Sequence, residues 1–267
     1  MDQTPPPHTG TYIYCVARAQ PFEKNGSSLL ATPGLGGQKV RLVPYDDLAA
    51  VVSDAPQDDY NVTRENLLAH QRVITQAMTR SDVLPVAFGT VAESDQQVQE
   101  QLLRGAADDL HRALEEVQGC VELELKVLWN EERLFAEIVA ENEDIRALRD
   151  SLAGQPPEAT QYERIQLGQL VAAEIQRKSE AEAAALLEAL EPLAVATRVN
   201  ENQTDMMLLN AAFLVDRSQE QAFDAQVQAL GAAQAGRLIF QYVGPLPPYN
   251  FVDLRVRWEE EPDGAAV

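Results

Sequence analysis

The period of hydrophobic and polar residues changes repeatedly along this chain, and each change marks an element. Residues 11–18 are apolar or aromatic on both faces, which predicts a central strand. Residues 20–37 are rich in Gly, Pro and Ser and predict a loop. Short strands are expected over 38–44 and 48–53, with Tyr45-Asp46-Asp47 as the turn between them. From about Thr63 to Arg80 the period lengthens, with Leu67, His70, Ile74 and Met78 on one face of a helix. A short buried strand follows over 83–91, and Pro85 places it at a sheet edge or a strand start. Ser94 with Gln97 reads as a capping box for a helix running to about Gln118, which Gly119 stops.

The second half opens with clean alternation. Val121, Leu123, Leu125, Val127 and Trp129 alternate with Glu122, Glu124 and Lys126, which predicts a strand with one buried and one wet face. A helix is expected from Glu131 to about Leu152, broken at Gly154-Gln155-Pro156-Pro157. Thr160 with Glu163 reads as another capping box, opening a helix to about Leu190. Its apolar positions, including Ile165, Val171, Ala172, Ile175, Leu186, Leu187 and Leu190, form no clean heptads; they suit packing on the chain's own sheet or contact with a partner. Strands over 193–200 and 206–215, a helix capped by Ser218 and Gln221, and strands over 236–243 and 251–258 complete the pattern. The fold class predicted is α+β in two domains, 11–119 and 120–258, between a loose N-terminal tail (1–10) and an acidic tail (259–267). The order in the second domain is that of the split βαβ, ferredoxin-like βαββαβ motif with an extended helical first crossover.

Between the last two strands lies Gly244-Pro245-Leu246-Pro247-Pro248-Tyr249-Asn250-Phe251. Its three prolines fix φ and remove three backbone donors, so it cannot join a central ladder. It predicts a stiff connection that holds its apolar side chains in set directions. Leu246, Pro247, Pro248, Tyr249 and Phe251 are the candidate partner contact; a rigid link between strands is the plainer reading.

The balance of 21 Lys+Arg against 42 Asp+Glu gives −21. That field repels nucleic acid and anionic membranes, so neither is expected as a partner. The longest strongly apolar runs are about half what a bilayer requires, and the N-terminus has no signal-peptide pattern; a soluble intracellular protein is expected. Cys15 and Cys120 sit among apolar neighbours and read as buried reduced thiols. His8, His70 and His111 are scattered, without partners at metal-ligand spacing, and His70 reads as a satisfied buried histidine. Gly34-Leu35-Gly36-Gly37 lacks the Lys-Ser/Thr and the helix of a phosphate cradle. No serine lies in a nucleophile elbow, and acidic doublets are expected by chance at this composition. No cofactor, metal or catalytic set is assigned.

Four segments in this order carry a resemblance: Thr11-Tyr12-Ile13-Tyr14-Cys15-Val16; Leu67-Leu68-Ala69-His70 through Val83-Leu84-Pro85-Val86-Ala87-Phe88-Gly89-Thr90; Leu209-Asn210-Ala211-Ala212-Phe213-Leu214-Val215; and the Pro-rich turn. Together they resemble the gas vesicle protein F/L family over about residues 11–258. The resemblance implies two α+β domains, the C-terminal one modified ferredoxin-like. It implies a non-enzymatic accessory or minor component of gas vesicles, located there or in the cytoplasm. Its expected partners are the small hydrophobic shell protein, during nucleation and assembly, and other accessory proteins. The F and L types are not separated by these motifs. The rival from another class is a small-molecule-binding or catalytic α+β protein with an inter-domain pocket, lined by His70 or Tyr249.

Overall fold

The computed structural model describes residues 10–23, 31–56, 59–254, 256 and 258. Both expected tails therefore lie outside the described residues, except Gly10, which opens the first strand. Mixed helix and sheet place the chain in the α+β class. The described residues divide into two compact units, one within 1–122 and 245–267, the other 123–244. The sequence pattern keeps 120–258 together; in the structure residues 245–254 group with the first unit.

The first unit is built on β1 (Gly10–Arg18), followed by α1 (Gln20–Glu23), β2 (Arg41–Tyr45), β3 (Leu48–Ala55), α2 (Arg64–Met78), β4 (Val83–Pro85) and β5 (Val91–Ala92). The sheet runs β2-β3-β1-β4, with β5 also pairing β1. β1 is thus central, as its two apolar faces predict, and antiparallel to β3 on one side and to β4 and β5 on the other. Pro85 sits on the edge strand, where its missing N–H breaks no ladder. The strand expected over 83–91 is split by a turn at Ala87–Thr90, closed by the Thr90 hydroxyl and N–H on the Ala87 carbonyl. On α2, Thr63 caps the start by accepting from the Asn66 N–H, and His70, Val73, Ile74, Ala77 and Met78 form the buried face. Leu67, expected on that face, is 41% exposed.

The helix expected from Ser94 is interrupted. A short α3 (Asp95–Gln97), capped by Ser94, runs into a π-helical turn over Val98–Arg104, and α4 (Ala107–Glu116) follows. The second unit then comprises most of β6 (Cys120–Trp129), α5 (Glu131–Glu141), α6 (Glu143–Leu152), α7 (Gln161–Leu190), β7 (Ala196–Val199), β8 (Met207–Asp216), α8 (Glu220–Ala233) and most of β9 (Leu238–Leu246). Its sheet runs β7-β8-β6-β9, and β8 is buried on both faces, as its apolar run predicts. Asn142 accepts from the Ile145 N–H and so restarts the chain as α6, dividing the single helix expected from Glu131.

Three local expectations are corrected. Thr160 does not cap α7; its hydroxyl donates to the Pro156 carbonyl and accepts from Arg164. Ser218 does not cap α8; it turns back on the Asp216 carboxylate through both N–H and hydroxyl. The final strand expected over 251–258 does not form among the described residues. Instead β9 continues through Gly244 and Pro245 to Leu246, and the next residues turn on the Pro247 and Pro248 carbonyls. Because β9 is an edge strand, Pro245 is tolerated there.

Candidate partner-binding groove

The Pro-rich segment is held by an anchor that alternation misread. Glu122 belongs to the predicted wet face of β6, yet it is fully buried. A buried carboxylate must be hydrogen-bonded. Asn250 meets that need twice: its backbone N–H donates to Oε2 and its side-chain amide to Oε1, both at 2.7 Å. Pro247 and Pro248 are buried, and Leu246, Tyr249 and Phe251 are half-buried. The five candidate contact residues are thus mostly turned into the fold. Tyr249 packs on the core around Tyr12, Tyr14 and Ile74, and burial pushes its hydroxyl pKa well up.

The next residues line a groove of about 620 Å³ that belongs to the first unit alone. Tyr249, Val252, Asp253 and Leu254 form one wall, and Leu67, His70 and Gln71 of α2 another. Pro85, Val86, Ala87 and Phe88 complete it. Leu67, Ala87 and Asp253 are its exposed members.

Two polar aromatic groups sit beneath this lining. Gly89 has φ of 86, which glycine adopts at little cost and which lets its N–H reach the Tyr12 hydroxyl at 3.0 Å. That hydroxyl lies 3.0 Å from His70 Nδ1. With the Gly89 N–H donating in, the Tyr12 proton is free to donate to Nδ1. The second ring nitrogen then carries the imidazole proton, toward the Val86 carbonyl. Burial lowers the His70 pKa to about 4, against the opposing pull of the Val86 carbonyl. The ring is therefore neutral, and both its nitrogens are satisfied, as expected for a structural histidine. Tyr14 repeats the arrangement: its hydroxyl accepts from the Leu35 N–H at 2.8 Å and lies 2.9 Å from Ser53 Oγ, itself 3.3 Å from the Asp54 carbonyl. Burial raises both tyrosine pKa values. His70 and Tyr249 do line one pocket, but the imidazole presents no free nitrogen to it. The groove offers shape and apolar contact rather than an acid–base pair.

Cys15 and Cys120 are buried thiols, and burial pushes the Cys15 thiol well up. Among the described residues no cluster of His, Cys, Asp and Glu could hold a metal ion, and no helix is long and apolar enough to cross a membrane. Sequence reasoning found Tyr249 but missed Val252 and Leu254 as groove walls, because it assigned them to a strand. It missed Glu122 because one polar residue in an alternating strand carries no mark of burial.

A family model for "Gas vesicle synthesis protein GvpL/GvpF" matches residues 10–253. Gas vesicle protein F of Streptomyces sp. (strain CB03234) is 34% identical, over 91% of this chain and 99% of its own length. Gas vesicle protein F of Dolichospermum flosaquae is 28% identical over 91% and 97%, respectively. The crystal structure of the gas vesicle protein GvpF from Anabaena sp. PCC7120 superposes with a TM-score of 0.78 at 27% identity, covering 92% of this chain and 99% of that one. With the match running from the first residue of β1 to the wall of the groove, this chain belongs to the gas vesicle protein GvpL/GvpF family.

Proposed function

We propose that this chain is a non-enzymatic gas vesicle assembly factor. It binds the hydrophobic shell protein through the groove between α2 and the 249–254 segment, and so supports nucleation and growth of the shell. The observation that carries this reading is the groove: Leu67, Phe88, Tyr249, Val252 and Leu254 present an apolar surface on a chain of charge −21. A shell subunit before assembly exposes apolar surface and aggregates. A companion that covers that surface while its own charge disperses the pair acts as a chaperone does. The Pro-rich segment, Leu246 to Phe251, contributes Tyr249 directly. The Glu122–Asn250 anchor sets the position of the residues after it.

The protein works at the vesicle and in the cytoplasm around it, with other accessory proteins, and stays as a minor shell component. Its second unit is a modified ferredoxin-like domain, supported by the sheet order β7-β8-β6-β9 and by the helical crossover α5 to α7 between β6 and β7.

The experiment is co-expression with the shell protein, reading how much of it stays in the supernatant and whether vesicles form. Leu67→Asp and Val252→Asp each put a charge into the apolar wall and should weaken capture about tenfold or more. Wild-type capture by both variants, or unchanged vesicles after deletion of the gene, rejects the proposal. Retention in washed vesicles separates a lasting component from a transient helper.

A further inference from the structure

The N-terminal half of α7 is unlike the rest of the surface. From Gln161 to Ala173 only Leu167 and Val171 are even half-buried, so this length of helix is open to solvent over most of its circumference. Tyr162 is 76% exposed and Ile165 is 53% exposed. Residues spaced by three or four share a helix face. Tyr162, Ile165, Gln166, Gln169, Ala172, Ala173 and Gln176 therefore form one continuous stripe, turned away from Leu167 and Val171. The stripe carries no charge. The whole stretch from Gln161 to Arg177 is balanced as well, with Glu163 and Glu174 against Arg164 and Arg177. In a chain of charge −21 this is a neutral strip of four turns.

The sizes along the stripe are ordered. Large Tyr162 and Ile165 stand at its start and small Ala172 and Ala173 near its end, with Gln169 midway between Ile165 and Ala173. We propose that two copies of this chain pair antiparallel along this stripe, about a two-fold axis through Gln169. A two-fold interface must be self-complementary, and this ordering makes it so. Ile165 of each copy enters the space left by Ala173 of the other, and Gln166 lies over Ala172. Tyr162 reaches Gln176, whose Nε2 donates to Glu180 of its own helix at 2.9 Å and whose Oε1 is left to accept the tyrosine hydroxyl. Two Gln169 amides meet on the axis. Antiparallel helices also set their dipoles favourably. Local neutrality favours a second copy: two molecules of −21 can meet along this strip without bringing a net like charge together there. Four turns of helix on helix bury less than the roughly 1,200 Å² of a strong interface, so the pairing is weak.

Sedimentation equilibrium of the full chain and cross-linking through position 169 test this together. Packed helices lie about 8–10 Å apart, and two Cα radii of about 2.3 Å leave about 3.4–5.4 Å between the two Gln169 Cα atoms. A disulfide spans about 4.4–6.8 Å. Gln169→Cys should link to itself under mild oxidation, whereas Ala184→Cys, exposed on the same helix beyond the stripe, should not. Ile165→Glu and Ala173→Glu should each weaken association about tenfold or more while leaving helical content unchanged. A wild-type chain that stays monomeric to several hundred micromolar overturns the proposal. So does equal cross-linking at positions 169 and 184. Loss of shell-protein capture by the two Glu variants, with the wild type monomeric, assigns the stripe to another partner and overturns self-pairing. Because shell capture is also read with Leu67→Asp, failure of the groove and failure of the stripe are told apart.

Discussion

The polar cluster around β1 and the one around α7 are held by opposite means. Around β1, Tyr12, His70, Tyr14 and Ser53 are linked by hydrogen bonds between neutral groups, and the buried Glu122 carboxylate is matched by an amide. Around α7, the interior edge is ionic. Arg237 bonds Glu137 at 2.8 Å and Glu182 at 2.7 Å, and its guanidinium lies 5.0 Å from the Trp129 ring. Lys178, only 8% exposed at its side chain, pairs with Glu141 at 2.8 Å and more distantly with Glu137. Neutral networks respond to proton uptake by their strongest base, whereas ionic ones respond to salt and to loss of a partner. The same solvent change should therefore separate the units.

Acid gives the largest separation. The folded pKa of His70 is about 4 against an ordinary 6.5, so the unfolded chain takes up the proton first. Stability is whole above 6.5 and falls as pH drops toward 4, by about 3 kcal/mol in total at 1.36 kcal/mol per unit. The depressed carboxylates, Asp47, Glu137, Glu174 and Asp216, act in the same direction but below their own ordinary values. Between 6.5 and 4.5 the fall therefore comes more from His70 than from these carboxylates. Urea unfolding across it should show the first unit losing stability ahead of the second, with His70→Gln flattening the slope. An unaltered acid slope in that variant rules out His70 as its source.

Next comes the anchor. Asn250→Ala removes one of the two amide donors that satisfy the buried Glu122 carboxylate, and should cost the first unit about 2 kcal/mol. Trp258 and Trp129 are the only two tryptophans, one in each unit, so single-tryptophan variants report the units separately. The loss should register at Trp258 and leave Trp129 unmoved. An equal shift at both positions would show that the anchor acts on the whole chain.

How much of this was legible in the sequence depends on how local the cause is. β1 and β8 were read correctly because burial on both faces leaves an unbroken apolar run. α2 was read from apolar spacing that lies within a few turns, whereas its Thr63 cap was not singled out. The 251–258 stretch was misread because its alternation is real; its apolar positions face the α2 groove at Val252 and Leu254 instead of a ladder, and only the three-dimensional path decides that. Glu122 was misread because its partner lies 128 positions away. Thr160 and Ser218 failed as caps because their hydroxyls are turned to other partners: Thr160 accepts from the Arg164 side chain, and Ser218 folds back on Asp216. The groove was half visible: Tyr249 stood out beside the prolines, while Leu67 looked like core.

The ionic edge of the second unit supplies the smallest effect and the most specific one. Burial alone would raise the Glu137 carboxyl, but Arg237 and Lys178 outweigh it and hold the pKa below its ordinary value. Burial works against the Arg237 charge in the same way, and Glu137 with Glu182 outweighs it. Arg237→Met keeps the apolar stem over Trp129 and removes both ion pairs. Because all three groups are about a quarter exposed, solvent screening limits the loss to about 1 kcal/mol. At 1 M salt, where the Debye length falls to about 3 Å, wild type and variant should converge. The Glu122–Asn250 anchor, which contains no ion pair, should show no such convergence when Asn250→Ala is compared with wild type across the same salt series. Salt would then erase one substitution and spare the other. If both differences shrink alike, the contrast between a neutral and an ionic interior is lost.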